Sequence, residues 1–292
     1  MVFEFIRENS IFLQNWKCIS IAILFLIVLN RLVKKKKPKQ TIEKQNIERN
    51  ERKNLDVRSY EELPVDYYQP DLVEREHVAY AGATVKLPGG AQQFYEMVDN
   101  RRSVRDYSSR SVNFSIIEAC IRAAGTAPSG AHTEPWTFCV ISNVQMKKKV
   151  REIIEAEEYL NYTQRMNRQW VADLKPLRTS FSKQYLTDAP YLILVFKQIY
   201  GFKASNGQHK KQHYYNEISV AIATGILISA FQAAGLSSLV TTPLNCGPAL
   251  RTLLERPMNE KLLVLLPVGY AANDCKVPDL QRKKVEDILV KY

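Results

Sequence analysis

"RRSVRDYSSR", residues 101–110, places Arg101, Arg102 and Arg105 within five positions and follows them with hydroxyl side chains. Guanidiniums this close repel one another unless an anion lies among them. A phosphate suits them, because Arg offers fixed paired donors and Ser103 adds a hydroxyl. A solvated loop with surface arginines fits the same stretch, so the rest of the chain has to decide. "TTPLNCGP", 241–248, sets Thr241 and Thr242 before a proline, and "VPDLQRKK", 277–284, supplies a late Arg282. "EEYLNY" holds Glu158 and Tyr162 four apart, on one face if helical, and Lys183 follows in "FSKQY". Taken alone, that trio is a charged helix facing water.

These groups need elements to position them. "AQQFYEMVDNRRS" reads as a helix running into the arginines. "NFSIIEACIRAAGTAPSG" is a second helix, with Asn113 as N-cap and Gly125 near its end. "WTFCVIS", 136–142, is a strand, and Asn143 then caps a charged helix through about Glu157. "APYLILVF", 189–196, is a continuous apolar run of strand length, as a buried strand requires. Residues 213–235 form a long helix, apolar on most faces and closed by Gly235, fit for a core or a subunit interface. "LSSLV", 236–240, and "KLLVLLPVGY", 261–270, add two strands, with the helix "PALRTLLE" between them. The fold class is α+β: a central mixed sheet flanked by helices.

Charge sorts the remaining function classes. The 292 residues carry a formal +11, of which +7 belongs to residues 1–59. The excess therefore lies in an arm, and a general nucleic-acid binder would carry its basic stripe on the folded body. Within the arm, "CISIAILFLIVL", 18–29, is apolar and "NRLVKKKKPK" follows it. Residues 1–33 thus read as a single-pass membrane anchor, since a cleaved leader would end in small residues rather than a tetralysine. The lysines put the body on the cytosolic side. Residues 34–69 read as a polar basic tether, and 70–292 as the catalytic domain, with a lid at about 157–185. Five cysteines show no paired spacing, so neither a disulfide framework nor a zinc ribbon is indicated. His209 and His213 lack a nearby carboxylate, and no metal site is assigned. No strand leads into GxGxxG and no GxxxxGK[ST] occurs, so a dedicated dinucleotide site or P-loop is not expected.

"RRSVR", "APSGAHTEPWTF" (127–138), "TTPLNCGP" and "VPDLQRKK", in this order and with "HYYNEIS" and "LLPVGY", resemble the nitroreductase family of FMN proteins. Within it, they resemble the branch that strips halogen from halotyrosines. The resemblance runs from about residue 70 to the C-terminus. It implies an intertwined homodimer with FMN at the dimer interface. It assigns Arg101, Arg102, Ser103, Val104, Arg105, Val240, Thr241, Thr242 and Arg282 to the cofactor, with Pro128 and Ser129 reaching the flavin of the partner subunit. It makes Thr242 a hydrogen-bond donor to the flavin, which favours stepwise one-electron transfer over hydride transfer. It makes Glu158, Tyr162 and Lys183 the clamp on the substrate's amino-acid end, a carboxylate for its ammonium and an ammonium for its carboxylate. The backbone N–H of Ala131 then meets the substrate phenolate, a fixed dipole facing an anion.

The implied activity is reductive dehalogenation of mono- and diiodotyrosine to tyrosine and iodide. Electrons come ultimately from NADPH, through a separate reductase. Two alternatives stay open: a nitro- or quinone reductase on the same scaffold, and a halotyrosine- or flavin-binding protein without turnover.

Overall fold

The computed structural model describes residues 86–202 and 210–292, together with Leu72, 75–80 and Gly82. The expected anchor, 1–33, and tether, 34–69, lie outside the described residues. In chain order the elements are α1 (Gly90–Asp99), α2 (Phe114–Ala124), β1 (Trp136–Ile141), α3 (Val144–Leu160), a π-helical turn (Asn161–Arg165), α4 (Arg168–Leu174), α5 (Tyr185–Asp188), β2 (Tyr191–Gln198), β3 (Tyr200–Phe202), β4 (Lys210–Gln212), α6 (Asn216–Ala233), β5 (Ser237–Ser238), α7 (Gly247–Leu253) and β6 (Glu260–Gly269).

The main sheet runs β1-β2-β6-β5, and each neighbouring pair is antiparallel. A parallel bridge between Ser103 and Ser238 makes it mixed. β2 is apolar from Tyr191 to Phe196 because both faces are covered there. Leu192, Leu194 and Phe196 enter a core built with Val150 and Ile154 of α3 and Leu250 of α7. Ile193 and Val195 enter a second core with Ile117 and Cys120 of α2 and Val220, Leu227 and Phe231 of α6. Two-sided burial explains why β2 lacks the alternation of a half-exposed strand.

The local signals work as their chemistry requires. The Asn113 side chain accepts from Ser115 N, and that of Asn143 from Met146 N, each satisfying a free N–H of the first turn. α6 closes where Gly235 adopts φ 70°, a conformation that costs glycine nothing. Among the described residues α6 is the one helix long and apolar enough to cross a bilayer, with mean hydropathy 1.3. Its place against α2 and the sheet makes it a core helix.

Three details depart from expectation. β5 keeps only two residues of "LSSLV", because its neighbour Leu239 packs into the core and Thr241 bridges separately to Leu265. α3 runs on to Leu160, and Tyr162 lies beyond it in the π-helical turn. β3 pairs antiparallel with β4, two short strands that the sequence reading left without an element.

Candidate active site

The arginine segment leaves α1 and is stitched to the sheet edge. Val104 N donates to Ser238 O at 3.2 Å, Ser108 N to Tyr270 O at 2.9 Å, and Ala272 N to Asp106 O at 2.9 Å. The buried Tyr107 hydroxyl sits 2.9 Å from Pro267 O and 3.1 Å from Val104 O. Val104 is spent on packing: its side chain is in the core and its N–H is taken by Ser238.

The C-terminal segment returns to the same place. Arg102 donates to Pro278 O, and Arg282 donates to Arg101 O at 3.0 Å while pairing with Asp99 at 2.9 Å. Arg282 is thus brought to the arginine cluster by reciprocal side-chain-to-backbone contacts. A hollow of about 310 Å³ opens here, lined by Arg102, Val104 and Cys275 among others.

Arg105 points instead into a larger cavity of about 670 Å³, which Glu158, Tyr162, Lys183, Val240, Thr241 and Thr242 also line. Its Nε is buried without a hydrogen-bond partner. A buried guanidinium N–H left unpaired carries a desolvation penalty unless a bound group answers it. Around it stand three phenols: burial pushes Tyr107, Tyr162 and Tyr185 above the ordinary phenol value, and the Arg105 charge pulls each partly back. All three therefore stay protonated near neutrality and remain donors. The residues present fit an anionic ring system with acceptor atoms, as FMN has. Arg101, Arg102 and Arg282 are a donor set whose chemistry suits a phosphate, and the unpaired Nε of Arg105 suits a ring acceptor.

The segment expected as a lid lines this cavity. Lys183 Nζ lies 3.2 Å from Glu158 Oε2, with side-chain exposures of only 7% and 13%, and 5.5 Å from the centre of the Tyr162 ring. So the structure brings all three clamp residues together, although Tyr162 reaches the cavity from the π-helical turn. Lys183 is placed by a residue the sequence did not single out. Glu155 Oε1 accepts from Lys183 N at 2.6 Å and from Arg151 Nε at 2.8 Å. Arg151 in turn donates to Thr187 Oγ1 at 3.0 Å. The buried Lys147 reaches the carbonyls of Thr187 and Ala189, at 3.1 and 2.6 Å, where α5 ends. The available signal was the helical spacing of Lys147, Arg151, Glu155 and Glu158, a ladder along one face of α3.

Pro128, Ser129 and Ala131 line neither cavity. They belong to a strained loop in which Ala131, His132 and Glu134 have φ 50°, 51° and 44°. Residues with side chains adopt such angles in a cluster only where the surroundings enforce them. Ser129 Oγ accepts from Glu134 N at 3.0 Å, and a Cβ on Gly130 would come within 2.8 Å of Tyr214 O. The loop is thereby pressed against the start of α6, whose outward residues Ile218 and Ile222 are exposed.

Known proteins resemble the chain along most of its length. A family model described as "Nitroreductase family" matches residues 98–270. The iodotyrosine deiodinase of Drosophila melanogaster is 50% identical over 286 residues, 98% of each chain. Iodotyrosine deiodinase 1 of Mus musculus is 62% identical, over 68% of this chain and 70% of that one. A crystal structure of oxidised iodotyrosine deiodinase bound to FMN and 3-iodo-L-tyrosine superposes with TM-score 0.59 at 29% identity, covering 68% of this chain and 98% of that one. The chain belongs to the nitroreductase family, and its similarity to the iodotyrosine deiodinases runs through the family segment and beyond it on both sides.

Proposed function

We propose that this chain, loaded with FMN, reductively removes iodide from mono- and diiodotyrosine. The observation that carries the reading is the secluded Glu158–Lys183 pair beside Tyr162, in the cavity that Arg105 and Thr242 also line. A free amino acid brings one ammonium and one carboxylate. Glu158 exchanges Lys183 for the ammonium, and Lys183 exchanges Glu158 for the carboxylate, so no charge is left bare. A nitro- or quinone reductase has no use for such a pair.

Reduced FMN supplies two electrons, and with one proton these turn the aryl carbon–iodine bond into carbon–hydrogen and iodide. The chain's part is binding, orientation and exclusion of water. Arg101, Arg102, Ser103 and Arg282 take the phosphate, while Arg105, Val240, Thr241 and Thr242 border the ring. Thr242 offers a hydroxyl donor there, which selects electron transfer one at a time. Tyr162, kept neutral by burial, closes the lid over the amino-acid end.

Pro128, Ser129 and Ala131 act in the partner's site. The exposed apolar face of α6, with Tyr214, Tyr215, Ile218 and Ile222, forms the centre of a homodimer interface next to their loop. The Ala131 N–H meets the substrate phenolate across it, a fixed donor at a place where charge gathers. Electrons derive from NADPH through a separate reductase, and residues 1–33 anchor the chain in a membrane.

The test is anaerobic turnover of the full-length chain in detergent, with excess dithionite to re-reduce the flavin and diiodotyrosine as substrate. Release of two iodides per diiodotyrosine, with tyrosine as the organic product, is the expected result. A yellow, reducible protein that releases none overturns the reading.

A further inference from the structure

We propose that Asn161 is the positioning residue that couples the amino-acid clamp to the loop carrying Thr242. The inference rests on reading the cavity as a halotyrosine site.

Asn161 is fully buried, with 0% exposure, at the head of the π-helical turn. Its side-chain amide has two N–H donors and two acceptor lone pairs, and all four are engaged. Nδ2 donates to Glu158 Oε1 at 3.2 Å and to Leu244 O at 3.3 Å. Oδ1 accepts from Arg165 Nη1 at 3.2 Å and from Asn245 Nδ2 at 3.3 Å. Two partners belong to the lid and two to the loop after Thr242. A capping residue would spend its bonds on its own helix. This one divides them evenly between segments more than eighty residues apart.

The geometry on each side gives the joint its effect. Glu158 uses Oε2 for Lys183 and Oε1 for Asn161, so the bond to Asn161 fixes the carboxylate plane whichever cation Oε2 holds. Upstream of Thr242, Thr241 is locked to β6 by N–O bonds of 3.0 and 2.8 Å with Leu265. Downstream, Leu244 and Asn245 are held by Asn161, with Asn245 at φ 65°. Thr242 sits between a point fixed on the sheet and one held through Asn161 to the segment that carries Glu158. The π-helical turn supplies the register: Met166 N bonds to Asn161 O at 2.9 Å, five residues back, which widens the helix where the joint must fit. With all four bonds of its buried centre made, the joint favours one arrangement over intermediate ones, although Arg165, Leu244 and Asn245 reach the surface.

The experiment is a double-mutant cycle on the full-length, FMN-loaded chain. The dissociation constant of 3-iodotyrosine is read from quenching of flavin fluorescence in the oxidised state. Asn161→Asp keeps shape and both accepted bonds but sets a carboxylate against Glu158 and Leu244 O. It is expected to weaken binding at least tenfold, and Thr242→Ala about fivefold. Their combination is expected to be no worse than Asn161→Asp alone within a factor of two, because a Thr242 already out of place has nothing left to lose. Effects that multiply, or a Thr242→Ala variant that binds like wild type, overturn the coupling. Should Asn161→Asp fail to fold, Asn245→Gly removes one bond of the joint while accepting the positive φ. It is expected to show the same sub-multiplicative pattern with Thr242→Ala, and multiplication there overturns the proposal as well. A wild-type chain that does not bind 3-iodotyrosine overturns the deiodinase reading and this inference together, whereas tight wild-type binding with multiplying variants overturns this inference alone.

Discussion

The arginine segment and the lid handle charge in opposite ways. In the segment, Arg101, Arg102 and Arg105 stand on a backbone stitched to β5 and to residues 270–272, and the Arg105 Nε is left buried without a partner. In the lid, Glu158 and Lys183 answer each other, Asn161 satisfies the second carboxylate oxygen, and Glu155 holds the Lys183 backbone. One region is incomplete by itself and built for a lasting guest. The other is complete by itself and exchanges its internal pair for a visiting zwitterion. That contrast matches a retained cofactor and a substrate that must leave as product.

The sharpest way to break the contrast is Glu158→Gln. It leaves the Lys183 ammonium secluded with no counter-charge and replaces the carboxylate that meets the substrate's ammonium with a neutral amide. Truncating one side of such a pair costs about 3 kcal/mol, roughly a hundredfold in affinity. The expected outcome is a KM for diiodotyrosine at least that much higher, with flavin content unchanged. Simultaneous loss of flavin would show the two regions to be one. Arg105→Met makes the complementary cut, keeping the apolar stem and removing every donor. A hydrogen bond from a charged group is worth about 1.5–3 kcal/mol, so FMN affinity falls roughly ten- to a hundredfold. Gel filtration followed by a visible spectrum reads this directly. The thermal midpoint of the flavin-free protein stays put or rises, since a buried N–H with no partner has been removed.

Arg282→Ala belongs to the same region and is expected to matter less. Its side chain is half exposed and already paired with Asp99. Exposed pairs contribute about 0–1 kcal/mol and fade with salt. FMN affinity is expected to drop by about fivefold or less at low ionic strength and to match wild type in half-molar salt. A large, salt-independent loss would mean that Arg282 turns inward once the phosphate is bound.

The two regions were also unequally legible. The arginines, Thr241–Thr242 and Arg282 stand in short strings that carry the family resemblance, so they could be proposed for the cofactor from sequence. Asn113, Asn143 and Gly235 could be read there as well, because their chemistry is local. The lid's named residues were equally visible, but what holds them was not. Glu155 looks like one more acid on a charged helix, and only the fold shows Lys183 N at its carboxylate. Asn161 is a polar residue inside a helical pattern, and its worth depends on Leu244 and Asn245, which no periodicity connects to it. β5 was overextended because β-propensity does not register a bridge that restarts at Thr241. Strings report chemistry that stays near in sequence, whereas positioning residues act across it.

The smallest expected effect probes the loop side of the joint. Cys246 is fully buried below Leu244, and its Sγ lies 3.4 Å from the Leu244 carbonyl that Asn161 also meets. Burial pushes its pKa up to about 12, with the charges of Glu158 and Glu157 adding to the rise. A thiol raised in this way stays neutral in the folded chain while the unfolded chain ionises above about pH 9. The unfolded state then sheds the proton first, so the stabilisation is full below pH 9 and declines as pH climbs toward 12. Thermal midpoints taken from pH 8 to pH 10 should therefore fall for wild type and fall less steeply for Cys246→Ala. The buried phenols Tyr107 and Tyr185 add their own slope as the pH nears 10, equally in both proteins, so the difference between the two curves isolates Cys246. Cys120, Cys139 and Cys275 are raised by burial too, so some decline survives the substitution. Parallel curves would place Cys246 in contact with water, and the loop that holds Thr242 would then be open on the side where Asn161 closes it.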